Sequence, residues 1–312
     1  MTTRVAAIDL GTNTVRLLVA DVPPGAARWS TVLADQKVTR LGEAARTTGA
    51  LGDAAVARTA ATVVDYVQRA RRAGAARVVI AATSAVRDAT NGRAFVDDLQ
   101  RATGVVVRVI AGEDEARLTL AGIVAGLGPL RGRVVAFDIG GGSTEYILAQ
   151  DSTAVTVVSL RLGVVPLAER FPFPRAVSAE RYATLRGEVD AELARGLPAE
   201  IADARVETLV GTAGTVTTLA ALDLELAEYD PARVQGHTLT RAAIERQRGR
   251  LTALDVDQRA ALPCLEPGRA DLIVPGVAIV EATLERLHCD RLVVSDWSLR
   301  EGLLAELAGY QV

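Results

Sequence analysis

Short apolar runs that end in a polar residue or a glycine turn set the rhythm of the first forty residues. Residues 5–9, 15–22 and 29–37 read as three antiparallel strands, with Pro23-Pro24-Gly25 marking one turn. Arg40-Leu41-Gly42-Glu43 begins a loop. The period then changes: Val56, Ala60, Val63, Val64 and Val67 recur at helical spacing to about Arg72, behind Asp53 as the expected N-cap, and Gly74 ends the helix. Residues 77–82 read as a buried strand running into Thr83-Ser84-Ala85-Val86-Arg87-Asp88. A helix over 91–103, a strand over 105–110 and a helix from Gly112 to about Leu127 follow.

Gly126-Leu127-Gly128-Pro129 is a natural boundary. Beyond it, residues 134–138, 144–149 and 155–160 repeat the opening three-strand pattern. Residues 177–193 are mostly helical, 208–210 form a short strand, and a helix and a polar loop containing His237 come next. Residues 241–254 are helical, 263–269 a loop, 271–287 a long apolar helix and 291–295 the last strand. The expected domains are 1–127 and 128–312, with segment 298–312 packing back on the first.

The two halves share one chemical device. Ile8-Asp9-Leu10-Gly11-Thr12-Asn13-Thr14 and Phe137-Asp138-Ile139-Gly140-Gly141-Gly142-Ser143-Thr144-Glu145 each place an aspartate at the end of an apolar run, then a glycine turn with hydroxyl residues, then a second apolar run. Glycines let backbone N–H groups approach one small space, and such a nest attracts phosphate. Asp138 and Glu145 flank the second turn with oxygen ligands suited to Mg²⁺. No Gly-Lys-Ser/Thr follows either turn, so neither is a Walker loop. A strand rather than a helix follows each, which excludes a Rossmann fingerprint. The expectation is two similar domains facing each other across a phosphate-binding cleft.

Composition narrows the partners. Hydrophobic residues make up 49% of the chain, enough for two cores, while aromatics are only 4%, so alanine, valine and leucine do the packing. A formal net charge of −3 argues against a broad nucleic-acid or membrane surface, and a polyanionic ligand would need a local arginine cluster. Cys264 and Cys289 show neither metal spacing nor a disulfide framework and read as buried thiols of a reducing cytosol. No signal peptide and no apolar run of about 20 residues is seen, so a cytoplasmic location is expected.

Ser84 and Arg87 are candidates for a second phosphate contact, because a guanidinium forks onto phosphate oxygens. Glu113, Asp114 and Glu115 stand in a first helical turn, where acids compensate the helix dipole; alternatively one of them is a general base. Gly211, Thr212 and Gly214 occupy the place in the second half that residues 83–87 occupy in the first. His237, His288, Trp29 and Trp297 read as structural. Asp296 reads as an N-cap or a cleft contact, and Arg269 and Asp271 as an ion pair or a substrate contact.

Taken together, these residues resemble the exopolyphosphatase / guanosine pentaphosphate phosphohydrolase (Ppx/GppA) family. The resemblance rests on both turns and on Arg40-Leu41-Gly42-Glu43, Thr83-Ser84-Ala85-Val86-Arg87, Glu113-Asp114-Glu115-Ala116-Arg117, Gly211-Thr212-Ala213-Gly214-Thr215, Arg269-Ala270-Asp271 and Val294-Ser295-Asp296-Trp297-Ser298-Leu299-Arg300-Glu301-Gly302. It implies an α/β fold of two actin-like (ribonuclease H-like, ASKHA) domains. It implies Glu115 as the catalytic base, with Asp138 and Glu145 beside the metal and the attacking water. It implies phosphate contacts from Gly11, Thr12, Asn13, Ser84, Arg87, Gly140, Gly141, Gly142, Ser143, Gly211, Thr212 and Gly214. Mg²⁺, or Mn²⁺, is the expected cofactor, with Asp9, Asp138 and Glu145 as its ligands. Inorganic polyphosphate, in short chains because the extra C-terminal domains of longer members are missing, or guanosine pentaphosphate (pppGpp) is the expected substrate, and a homodimer the expected assembly. A non-hydrolytic nucleotide binder or an actin-like assembly protein is the reading of another class.

Overall fold

Strand β1, Thr3–Leu10, shows how the first sheet is held. Its residues are apolar on both faces, which marks a strand covered from two sides. Successive side chains point to opposite faces. Ala6, Ile8 and Leu10 join a core with Val63, Tyr66 and Val67 of the helix Asp53–Arg72. Val5 and Ala7 join a second core with Leu299, Leu303 and Leu304 of the helix Leu299–Leu307. Asp9 falls on that second face.

A computed structural model describes residues 2–25, 28–43 and 45–309. It divides into two units, Met1–Gly128 with Trp297–Val312, and Pro129–Asp296. In the first, β2 (Thr14–Val22), β3 (Ser30–Val38), β4 (Arg77–Ala82) and β5 (Val107–Val109) complete a sheet of order β3-β2-β1-β4-β5. The first three strands are antiparallel, and β4 and β5 run parallel to β1. The helix Leu299–Leu307 crosses the helix Gly112–Leu127 at two glycines. A Cβ on Gly302 would fall 1.8 Å from the Leu118 carbonyl oxygen, and one on Gly122 2.0 Å from that of Ser298. Residues 310–312 of the expected returning segment lie outside the described residues.

The second unit repeats this plan. β6 (Arg133–Ile139), β7 (Thr144–Gln150), β8 (Thr153–Leu160), β9 (Thr208–Thr212), β10 (Thr238–Thr240) and β11 (Arg291–Val294) form a sheet of order β10-β11-β9-β6-β7-β8. Apart from β10, the order and directions match the first sheet. This third-second-first-fourth-fifth arrangement, found twice, is the actin-like, ribonuclease H-like fold. Val135, Phe137 and Ile139 of β6 belong to one core with Leu185, Val189, Val216, Leu219 and Val277. Asp138 therefore lies on the other face.

Several local expectations change. The helix Asp53–Arg72 is capped by Gly52, so Asp53 is its first residue rather than its cap. The hydroxyl stretch after β4 is a helix, Ser84–Asp88. β5 is shorter than expected because Val106, at 72% exposure, leaves the sheet edge. The helix Val164–Arg170 and strand β10 are additional elements. Ser298, not Asp296, caps the last helix, exchanging hydrogen bonds with Glu301. Asp296 instead accepts from the Tyr229 hydroxyl, and its N–H donates to Gln235 Oε1 at 2.6 Å. Trp29 stacks on Trp297 with ring centroids 4.6 Å apart. The cysteines are half-buried rather than buried, both free, and burial pushes both thiols up.

Candidate active site

Both glycine turns have the same backbone. Leu10 pairs with Val15 and Ile139 with Thr144, leaving four residues in each loop. In each, the first residue's N–H donates to the fourth residue's carbonyl: Gly11 to Thr14 at 3.2 Å, Gly140 to Ser143 at 2.9 Å. Asp9 then lies opposite Arg16, and Asp138 opposite Glu145.

In the first unit, the segment 39–42 grips the turn. Gly42 N donates to Thr12 O at 2.8 Å, and the N–H groups of Thr39 and Arg40 both reach Asn13 O at 2.9 Å. A Cβ on Gly42 would sit 2.3 Å from Thr12 Cγ2, so any larger residue there would push the Thr12 side chain aside. In a trans peptide, C=O and the next N–H point in opposite directions. With the Thr12 carbonyl held by the loop, the Asn13 N–H is turned to the other side. Thr12 Oγ1 meets Ser84 Oγ at 2.9 Å, both buried. One helical turn beyond Ser84, Arg87 Nη1 donates to Ile110 O at 2.8 Å and to Glu115 Oε2 at 3.4 Å. Glu115 keeps 13% of its side chain exposed, whereas Glu113 and Asp114 are exposed. Of the three first-turn acids, it is the one joined to the arginine.

Asp9 is buried, with Arg16 Nη1 3.9 Å from its carboxylate. Burial raises its carboxyl above the usual range. Arg16 and Arg300 pull it back, and Glu301 adds to the rise. Arg300 is itself held by Glu301 at 2.8 Å.

In the second unit, the helix Val164–Arg170 performs the gripping. Val164 N donates to Gly140 O at 3.2 Å and Val165 N to Gly141 O at 2.9 Å. The N–H groups of Gly141 and Gly142 are thereby turned to the opposite side. Gly163 packs on this turn: a Cβ there would fall 2.3 Å from Gly142 C and 2.4 Å from Gly141 O. Across the sheet, Ser159, Glu145, Asp138 and Thr212 are register partners on four adjacent strands and so share one face. Ser159 Oγ donates to Glu145 Oε1 at 2.6 Å, and Glu145 is 1% exposed. Gly211 and Gly214 flank the start of the helix Ala213–Asp223, and the Arg269 guanidinium lies over Gly214, where a Cβ would be 1.5 Å from Nη2.

A family model described as the Ppx/GppA phosphatase family matches residues 18–311. The chain belongs to that family. An exopolyphosphatase 2 of Mycobacterium tuberculosis is 38% identical over 98% of this chain and 99% of its own length. A Ppx/GppA family member of Aquifex aeolicus superposes with a TM-score of 0.82 at 33% identity, covering 98% of both chains. An exopolyphosphatase from Cytophaga hutchinsonii reaches a TM-score of 0.90 at 27% identity, covering 99% of both.

Within this Ppx/GppA protein the candidate residues fall into two sets. Asp9, Gly11, Thr12, Asn13, Ser84, Arg87 and Glu115 belong to the first unit, and Asp138, Gly140, Gly141, Gly142, Ser143, Glu145, Gly211, Thr212 and Gly214 to the second. Arg16, Ser159, Gly163, Arg300 and Glu301 join them through register and packing. For a divalent cation, the fitting donors are Asp138 and Glu145, two acids directly opposite each other on one face. Like charges so placed repel, and a hard cation offsets them. Among the described residues, no group of three or more His, Cys, Asp or Glu side chains is gathered as a metal site. Mg²⁺ needs only one or two carboxylates, since it keeps waters and takes phosphate oxygens. No helix among the described residues is long and apolar enough to cross a membrane.

Proposed function

We propose that this protein is an exopolyphosphatase that hydrolyses the terminal phosphoanhydride of inorganic polyphosphate. The observation that carries the reading is the Glu115–Arg87 contact at 3.4 Å, one helical turn from the buried Ser84–Thr12 pair. It joins a proton acceptor to the guanidinium proposed to bind phosphate, beside a turn whose Asn13 N–H is turned away from the loop that holds Thr12 O. The name of the M. tuberculosis relative supports the substrate.

Phosphoryl transfer asks the protein for position and charge more than for covalent chemistry. The N–H groups of Asn13, Gly141 and Gly142 hold phosphate oxygens, and Arg87 offsets their charge. Glu115 takes a proton from the attacking water as the new P–O bond forms. The bridging P–O bond breaks, and the shortened chain leaves with the electron pair. Asp138 and Glu145 would hold Mg²⁺ or Mn²⁺, which supplies charge neutralisation at the phosphates. Asp9 completes the proposed carboxylate set, although Arg16 already engages it.

Glu115→Gln should lower turnover by about 10²–10⁴-fold while polyphosphate binding persists. Full activity in that variant would remove Glu115 from the mechanism. The same orthophosphate-release assay, run with polyphosphate, pppGpp and ATP in Mg²⁺ or Mn²⁺, identifies the substrate. Faster release from pppGpp than from polyphosphate would make this a nucleotide 5′-phosphohydrolase. No release from any of them would indicate a non-hydrolytic binder.

A further inference from the structure

At the far end of the first unit's sheet lies a cavity of about 440 Å³ that the proposed mechanism does not use. Arg71, Arg77 and Arg108 line it, together with Val78, Val106 and Leu307. Arg77 opens β4, whereas Ser84 and Arg87 follow the other end of that strand. Strand residues advance about 3.3 Å each, so roughly 20 Å separates the cavity from those catalytic candidates.

Two of the three guanidinium groups are fixed by neighbours. Arg71 Nη2 donates to Thr103 O at 2.9 Å, and Arg108 pairs with Glu306. Glu306 offsets the charge of Arg108, while no acidic side chain lines the cavity itself, so Arg71 and Arg77 supply its net positive charge. The chain as a whole carries a net charge of −3, so this concentration of cations is local. A guanidinium presents a rigid planar fork that matches phosphate oxygens, and positioned groups bind without an ordering cost. Beside them, Val106 stays 72% exposed, an apolar surface that a planar or aliphatic group would cover.

We propose that this cavity is a second binding site, for a ligand bearing a di- or triphosphate group. The phosphates face Arg71, Arg77 and Arg108, and any organic part lies over Val78 and Val106. The shared chemistry is the phosphoanhydride, carried by an inorganic chain or by a nucleotide.

The test is isothermal titration of the full chain with two non-hydrolysable probes, inorganic imidodiphosphate and a β,γ-imido nucleoside triphosphate. Arg77→Glu should lower the number of probes bound per chain by one and leave turnover of polyphosphate unchanged. Arg71→Gln should weaken the same binding event, and added salt should weaken it further. A loss seen with imidodiphosphate assigns an inorganic ligand, and a loss seen only with the nucleotide analogue assigns a nucleotide. Unchanged stoichiometry and affinity in both variants, with both probes, would overturn the proposal.

Discussion

Gly163→Ala tests whether the second turn is held in position by packing from outside the hairpin. The backbone at Gly163 is extended, at φ −121° and ψ 161°, so alanine is not strained there. On conformational entropy alone the substitution would stabilise by about 0.4–1 kcal/mol. Sterics oppose this. The new Cβ would begin 2.3 Å from Gly142 C, and ordinary contact starts at 3.4 Å, so the turn must move by about 1.1 Å. That movement also pulls Gly140 O and Gly141 O from the N–H groups of Val164 and Val165. Overpacking of this kind costs about 1–3 kcal/mol, which exceeds the entropic gain.

The larger effect falls on catalysis. A displacement of about 1 Å in a positioning group costs on the order of 10²-fold, equivalent to about 2.7 kcal/mol of barrier. The assay is orthophosphate release from polyphosphate, with thermal unfolding in parallel. Gly249→Ala is the control. Gly249 sits inside the helix Arg241–Ala253 with nothing within 4 Å of its virtual Cβ, so alanine should stabilise there by about 0.5–1 kcal/mol and leave activity alone. If Gly163→Ala kept kcat/KM within about threefold of the parent, the turn would not be what positions phosphate.

Other outcomes follow from the same geometry. Asp138→Asn should raise the Mg²⁺ concentration for half-maximal activity by about tenfold or more, read from a metal titration of turnover. Burial raises the folded-state pKa of Asp9, so the folded chain holds this proton more tightly than the unfolded chain. Its contribution to stability is present at low pH and falls as pH rises from about 4 through the raised folded value. Asp9→Asn should flatten the melting profile in that window, and an unaltered profile would show that Asp9 carries no such linkage. Arg259 is fully buried and donates to the carbonyls of Leu251, Phe173, Arg175 and Leu254. Arg259→Leu orphans four acceptors and should cost about 3 kcal/mol or more in denaturant unfolding.

The duplication was legible because both of its signals are local. An apolar run, an aspartate and a glycine turn need no knowledge of distant residues, so both hairpins and the strands 77–82 and 208–210 could be placed from the chain, although the second runs on to Thr212 and the parallel pairing of both came only with the structure. Elements set by few residues were not. β10 has three residues of which only Leu239 is buried, and a period cannot be read from so short a stretch. The stretch 84–88 forms a single helical turn that propensity does not distinguish from a loop. Candidate site residues escaped where their place depends on register or long-range packing. Arg16 acquires meaning only once it is seen opposite Asp9. Gly163 does so only when it lies on Gly141 and Gly142, and its one sequence signal is a glycine closing Leu160-Arg161-Leu162. Arg300 and Glu301 reach Asp9 from nearly the whole length of the chain away, and only the family motif singled them out.

The two hairpins differ in their turn residues and, most sharply in charge, at one register position. Strand order, loop length and the hydrogen bond from the first to the fourth turn residue are common to both. The partner of the turn's aspartate is an arginine in the first unit and a glutamate in the second. Asp9 has Arg16 opposite it, 3.9 Å from its carboxylate, which partly offsets the effect of burial. With Glu145 opposite, Asp138 is half of a pair of facing carboxylates, which is the pair proposed to hold the divalent cation. In the proposed function, a polyphosphate end carrying divalent metal would meet both kinds of surface. The same turn backbone occurs with either partner, so the sign of this cross-strand side chain differs between the units while the turn is kept. Exchanging these partners, as in Glu145→Arg, should therefore leave the second unit folded and abolish its response to Mg²⁺. A variant that still needed the metal for turnover would show that the cation is held elsewhere.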